Sequence, residues 1–194
     1  MTTNQNALAT TKTAVEKLNK SLAKGSLADL AKSARRSLLL VDCSGSMSSA
    51  VRSGDRKIDA LRKVVAGLRE THPVPVAAFG LSGYGGTVRV VDDIPEPSGG
   101  TPMHSAIDFG KAQGATHLVM VTDGQPDSEG ATLQAAREFG GPIDVFYIGD
   151  GGDRGAQFAQ ELARITGGTA NLTDLGQPKQ LTSAIAGLLG DGSI

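Results

Sequence analysis

The stretch Leu38-Leu39-Leu40-Val41-Asp42-Cys43-Ser44-Gly45-Ser46-Met47 joins an unbroken apolar run to a loop rich in side-chain oxygen. Four consecutive apolar residues leave no polar face, so the run predicts a strand covered on both sides within a parallel sheet. Beyond it, Asp42, Ser44 and Ser46 stand at alternate positions, and Gly45 lets the loop fold back. One carboxylate and two hydroxyls can thereby point at a single spot.

Downstream, residues 55–71 change to helical period, with Ile58, Leu61, Val64, Val65 and Leu68 on one face. Val76-Ala77-Ala78-Phe79 is a second buried run. After it, Leu81-Ser82-Gly83-Tyr84-Gly85-Gly86 leads into a β-branched segment at 87–91. A parallel crossover takes about a dozen residues or more, so this short connection predicts an antiparallel edge strand. The turn at 83–86 is then a hairpin loop. Helix and strand alternate from there: helix 101–111, strand 117–122, helix 128–139, strand 143–148, helix 154–166, strand 169–172 and helix 178–189. Such alternation predicts a doubly wound, Rossmann-like α/β fold. Its sheet is mostly parallel and six-stranded, with one antiparallel edge strand and helices on both faces. Ligands of such sheets bind at the carboxyl ends of the strands, where strand order reverses.

Upstream of residue 36 the pattern differs. Leu8, Val15 and Leu22 recur every seven residues, with Thr11 and Leu18 between them, a stripe too narrow for a core. Gly25 interrupts it, and Ser26 with Asp29 resembles the start of a second short helix. Residues 1–36 hold seven Lys and Arg against two acidic residues, whereas the rest of the chain carries a net charge of −6. The expected organisation is a basic helical arm at 1–35 and one domain at 36–194.

The 194 residues include one Cys, so no internal disulfide staples the fold. No apolar run reaches the roughly 20 residues of a membrane span, and the opening MTTNQNALATT lacks a signal-peptide core. The expected location is the cytoplasm, without membrane association. The arm's scattered charges, without aromatics, argue against nucleic acid as a partner; a solvated helix face is the plainer reading, with packing on its own acidic domain or oligomerisation with another copy as further uses.

Two further loops repeat the chemistry of the first. Pro97-Ser98-Gly99-Gly100-Thr101-Pro102 offers the Thr101 hydroxyl, and Thr122-Asp123-Gly124 ends a buried strand with a carboxylate. In a doubly wound sheet these loops leave the same edge, so Asp42, Ser44, Ser46, Thr101 and Asp123 can converge. Five oxygen donors without imidazole or thiolate favour a hard divalent cation, Mg²⁺ or Mn²⁺, over zinc.

The D-x-S-x-S sequence at 42–46, Gly-Gly-Thr at 99–101 and Thr-Asp-Gly at 122–124 resemble the metal-ion-dependent adhesion site of von Willebrand factor A (VWA) domains. The likeness runs from about Arg36 to Leu189 and leaves the arm outside. It implies that Ser44, Ser46 and Thr101 ligate directly or nearly so, with Asp42 and Asp123 often acting through water. It also implies a non-enzymatic module whose ion takes an Asp or Glu from a partner protein. Related intracellular members act as adaptors beside AAA+ ATPases, and an assembly subunit of a large particle fits the arm equally well.

Cys43 lies between the site residues but has no basic neighbour in sequence, so its side chain is expected in the core. His104 is expected on a helix surface or satisfied in the core, and His72 and His117 carry no assigned chemistry. Gln125 and Asp127 suit plain turn solvation or the rim of a partner site. Gly149-Asp150-Gly151-Gly152-Asp153 lacks the features of a phosphate loop and predicts a turn with Asp153 as helix cap. A Mg²⁺-dependent phosphohydrolase is the enzymatic alternative, but D-x-D and a general base are missing from the sequence pattern. A scaffold acting through the arm, by oligomerisation or nucleic acid, is the third.

Overall fold

The apolar run at 38–41 forms β1 (Ser37–Asp42), the inner strand from which the sheet grows to either side. In the computed structural model, residues 36–51, 54–81, 87–149, 151–173 and 177–189 are described. The expected arm at 1–35 and the hairpin loop at 83–86 lie outside them. The other strands are β2 (Val76–Leu81), β3 (Thr87–Val90), β4 (His117–Thr122), β5 (Ile143–Ile148) and β6 (Ala170–Thr173). The helices are α1 (Lys57–Thr71), α2 (Met103–Ala112), α3 (Glu129–Phe139), α4 (Arg154–Thr166) and α5 (Pro178–Leu189).

The strand order is β3-β2-β1-β4-β5-β6, with β3 antiparallel to β2 and the remaining pairs parallel. The short connection after β2 thus gives an antiparallel edge, as its length requires. From β1 the chain winds outward to β3, then returns to place β4 on the other flank of β1. Strand order therefore reverses between β1 and β4.

Alternation along β1 divides the core. Leu39 and Val41 face α1 and α5, where Ile58, Leu61, Leu68, Leu181 and Ile185 are buried. Leu38 and Leu40 face the opposite layer, with Ile107 of α2, Ala136 of α3 and Leu162 of α4. Both faces being covered explains why β1, β2, β4 and β5 read as apolar runs rather than alternating ones.

The amino edge of the sheet is fastened by a polar chain. Ser37 Oγ lies 2.9 Å from His117 Nδ1, and His117 Nε2 lies 2.7 Å from Asp144 Oδ2. Asp144 Oδ1 accepts the backbone N–H and the hydroxyl of Thr169, each at 2.7 Å. The chain links β1, β4, β5 and the turn before β6. With His117 fully buried, the chain ties the starts of these strands together.

Candidate functional site

At the opposite, carboxyl edge, β1 delivers Asp42 and β4 delivers Thr122 and Asp123 on either side of the reversal in strand order. Asp42 is fully buried. Its Oδ1 accepts the N–H of Ser44 at 2.7 Å, and its Oδ2 accepts the hydroxyl of Thr122 at 2.5 Å. The loop then makes one 3-10 turn, Gly45–Ser48, which sets Ser44 and Ser46 on one side. Ser44 Oγ and Ser46 Oγ lie 3.0 Å apart, and Ser46 Oγ donates to Asp123 Oδ1 at 2.6 Å. Ser44 is buried while Ser46 is exposed, so the cluster opens to solvent at Ser46.

Thr101 joins from the loop at 97–102. Its hydroxyl oxygen lies 3.2 Å from the Cβ position of Gly124, and Ser46 Oγ lies 3.8 Å from the same point. Both hydroxyls therefore face the backbone just after Asp123. Gly45 N–H donates to Gly99 O at 3.1 Å and Ser98 N–H to Cys43 O at 2.7 Å, tying the loop after β1 to the loop at 97–102. Gly80, at φ +84°, makes that approach possible: a Cβ there would meet Gly100 O and Ser44 N at 2.8 Å each.

Two contacts of the cluster were not read from sequence, and Asp127 does more than solvate a turn. Asp127 Oδ1 accepts the N–H of Thr101 at 2.8 Å, and Asp127 N–H returns to Thr101 O at 3.0 Å, so this aspartate sets the backbone that presents Thr101. The Thr122 hydroxyl holds Asp42, a role legible only from the register of β1 on β4. Lys57 Nζ donates to Asp123 Oδ2 at 2.7 Å. A lysine in the first turn of a helix is a visible signal, because the helix dipole disfavours a cation there.

Burial pushes the Asp42 carboxyl up to about 6, with the negative charge of Asp123 adding and the Thr122 and Ser44 hydrogen bonds opposing. Cys43 turns into the core, and burial raises its thiol to about 12, with the Asp42 charge adding. His104 is half-buried, and its Nδ1 has no hydrogen-bond partner among the described residues. Asp153 caps α4 by accepting the N–H of Ala156 at 2.8 Å, as the reading of that loop expects.

The donor set suits a hard cation. Neighbouring ligands of an octahedral Mg²⁺ at about 2.1 Å stand about 3 Å apart, and the two serine oxygens stand at 3.0 Å. Among the described residues no three His, Cys, Asp or Glu side chains gather as a metal centre, so an ion here relies on hydroxyls beside two carboxylates.

Fold and cluster together define a doubly wound α/β chain with oxygen donors gathered where its strand order reverses. No family model matches the chain, and no curated protein sequence matches it. Among solved structures it is similar to the Ro (RSR) protein of Deinococcus radiodurans, at 18% identity and a TM-score of 0.43. That likeness covers 81% of this chain and 34% of the other, so the chain spans about a third of that protein's length. The chemistry of the cluster stands on its own residues.

Proposed function

We propose that Asp42, Ser44, Ser46, Thr101 and Asp123 hold a divalent cation, Mg²⁺ or Mn²⁺, and that this ion takes an Asp or Glu side chain of a partner protein. The observation that carries the reading is the continuous oxygen chain from Ser44 through Ser46 to Asp123, with Asp42 beneath it and Thr101 beside it. The bound ion would supply charge and a directed coordination position. The protein's residues orient it: Thr122 fixes Asp42, and Asp127 fixes the backbone of Thr101.

The resemblance to the metal-ion-dependent adhesion site of VWA domains supports the same reading, residue by residue, at 42–46, 99–101 and 122–124. A binding role is favoured over phosphoester chemistry by what surrounds the cluster. Cys43 is inert in the core, and His117 is fully buried at the far edge of the sheet. Partner capture through an ion combines charge with fixed geometry, which gives specificity. An adaptor or an assembly subunit is the setting such a module serves.

Calorimetric titration with Mn²⁺ tests the site. One ion is expected to bind the parent chain, and Asp42→Ala and Ser46→Ala are expected to abolish it. Partner capture is then expected to fail in EDTA and in Asp42→Ala. Unchanged Mn²⁺ binding in both variants rejects the reading.

A further inference from the structure

Lys57 is the first residue of α1, and its ammonium reaches Asp123 Oδ2 at 2.7 Å. The pair is enclosed: the Lys57 side chain is 19% exposed and that of Asp123 is 0% exposed. A cation at a helix N-terminus faces the positive end of the dipole, so nothing local to α1 favours lysine there. Its neighbour Arg56 turns away, to Asp59 and Glu96. The Lys57 backbone N–H is bonded to Ser49 O at 2.9 Å, which fastens the start of α1 to the loop carrying Ser44 and Ser46. A residue that breaks a local preference takes its reason from a tertiary partner; here that partner is Asp123.

We infer that Lys57 is a built-in counter-ion of the cluster, competing with a divalent cation for Asp123 and so weakening metal binding. The inference rests on the cluster being a metal site. Two carboxylates alone would balance a dication; with Lys57 beside them the loaded cluster carries one net positive charge. Asp42 takes its hydrogen bonds from neutral donors, Thr122 and Ser44, so the cationic contact falls on Asp123. In a partly dehydrated site a like charge this close repels a dication strongly. The surplus positive charge also favours an anionic ligand from outside, which couples occupancy by the ion to arrival of a partner's carboxylate.

The test is titration of the full chain with Mn²⁺ alone, followed by the paramagnetic resonance signal of free Mn²⁺. Lys57→Met and Lys57→Gln remove the charge, and Lys57→Arg keeps it. The neutral variants are expected to bind Mn²⁺ about tenfold tighter than the parent chain, and the arginine variant within about threefold of it. A merely bracing role gives the opposite sign, since loss of the brace on Asp123 would loosen the cluster and weaken binding. Neutral variants that bind within about threefold of the parent, or more weakly, overturn the inference and leave the metal site standing. Failure of every chain to bind Mn²⁺ overturns the metal site and the inference together. Thermal melting by circular dichroism checks folding. The glutamine variant keeps a hydrogen-bond donor and carries the test if the methionine variant does not fold.

Discussion

Asp144, near the amino end of β5, takes hydrogen bonds from the His117 ring, the Thr169 amide and the Thr169 hydroxyl. Burial alone would raise its carboxyl, but these bonds outweigh burial and hold it below the ordinary carboxylate value. A depressed value in the folded state means that stability is present above the unfolded value, about 3.9, and is lost as pH falls through the folded one. Asp144→Asn is therefore expected to cost about 1–3 kcal/mol at pH 7. The gap between variant and parent is expected to begin narrowing below about pH 4 and to close as pH falls through the depressed folded value. Urea midpoints measured from pH 7 to pH 3 check this; a gap that persists undiminished to pH 3 contradicts it.

The helices differ in how they begin. Ser128 Oγ accepts the N–H of Ala131 at 3.3 Å to start α3, and Asp153 Oδ1 accepts that of Ala156 at 2.8 Å to start α4. Asp153 also accepts the Tyr147 hydroxyl at 2.8 Å, joining the helix to β5. Ser128→Ala is expected to cost about 1 kcal/mol, and Asp153→Ala about 2 kcal/mol because two bonds go. Denaturant midpoints of the two variants give the order directly. At the end of β2, Gly80 combines φ +84° with contact to two loops, and the β2–β3 register shifts between Ala78 and Leu81. Gly80→Ala is expected to cost about 1–3 kcal/mol from backbone strain alone. The displaced Ser44 and Gly100 backbones should also weaken Mn²⁺ binding, which the same titration reads.

Across the whole molecule, the cluster joins parts of the chain that fold back on each other only through the sheet. Asp42 and Thr122 are 80 residues apart, and Lys57 and Asp123 are 66 apart. An ion held between Asp42 and Asp123 should act as a cross-brace that exists only in the folded state. At a free concentration of about 100 times its Kd, such a ligand adds about 2.7 kcal/mol to stability. Mn²⁺ is expected to raise the melting temperature of the parent chain and not that of Asp42→Ala. Equal shifts in both would place the ion elsewhere.

Hydrophobic patterning and one connection length sufficed for the fold class, a mostly parallel six-stranded sheet with an antiparallel edge. Continuous apolar runs gave strands at 117–122 and 143–148 to the residue, and helical period gave 154–166 and 178–189. The length of one connection determined the antiparallel edge. Boundaries drifted where the tertiary contacts intervene: an Ala50–Arg56 bridge delays α1 to Lys57, and Pro102 stands before α2 rather than within it. The gathering of the loops that carry Asp42, Ser44, Ser46 and Asp123 at one edge also follows from the pattern, because parallel strands send the loops after them to the same side of the sheet. Lys57 on Asp123, Thr122 on Asp42, Asp127 on Thr101 and the chain from Ser37 through His117 to Asp144 were decided by the tertiary structure. Period reports which face of an element is buried. It carries no record of which polar groups meet across it, since that depends on strand register and on how separate loops close over one edge.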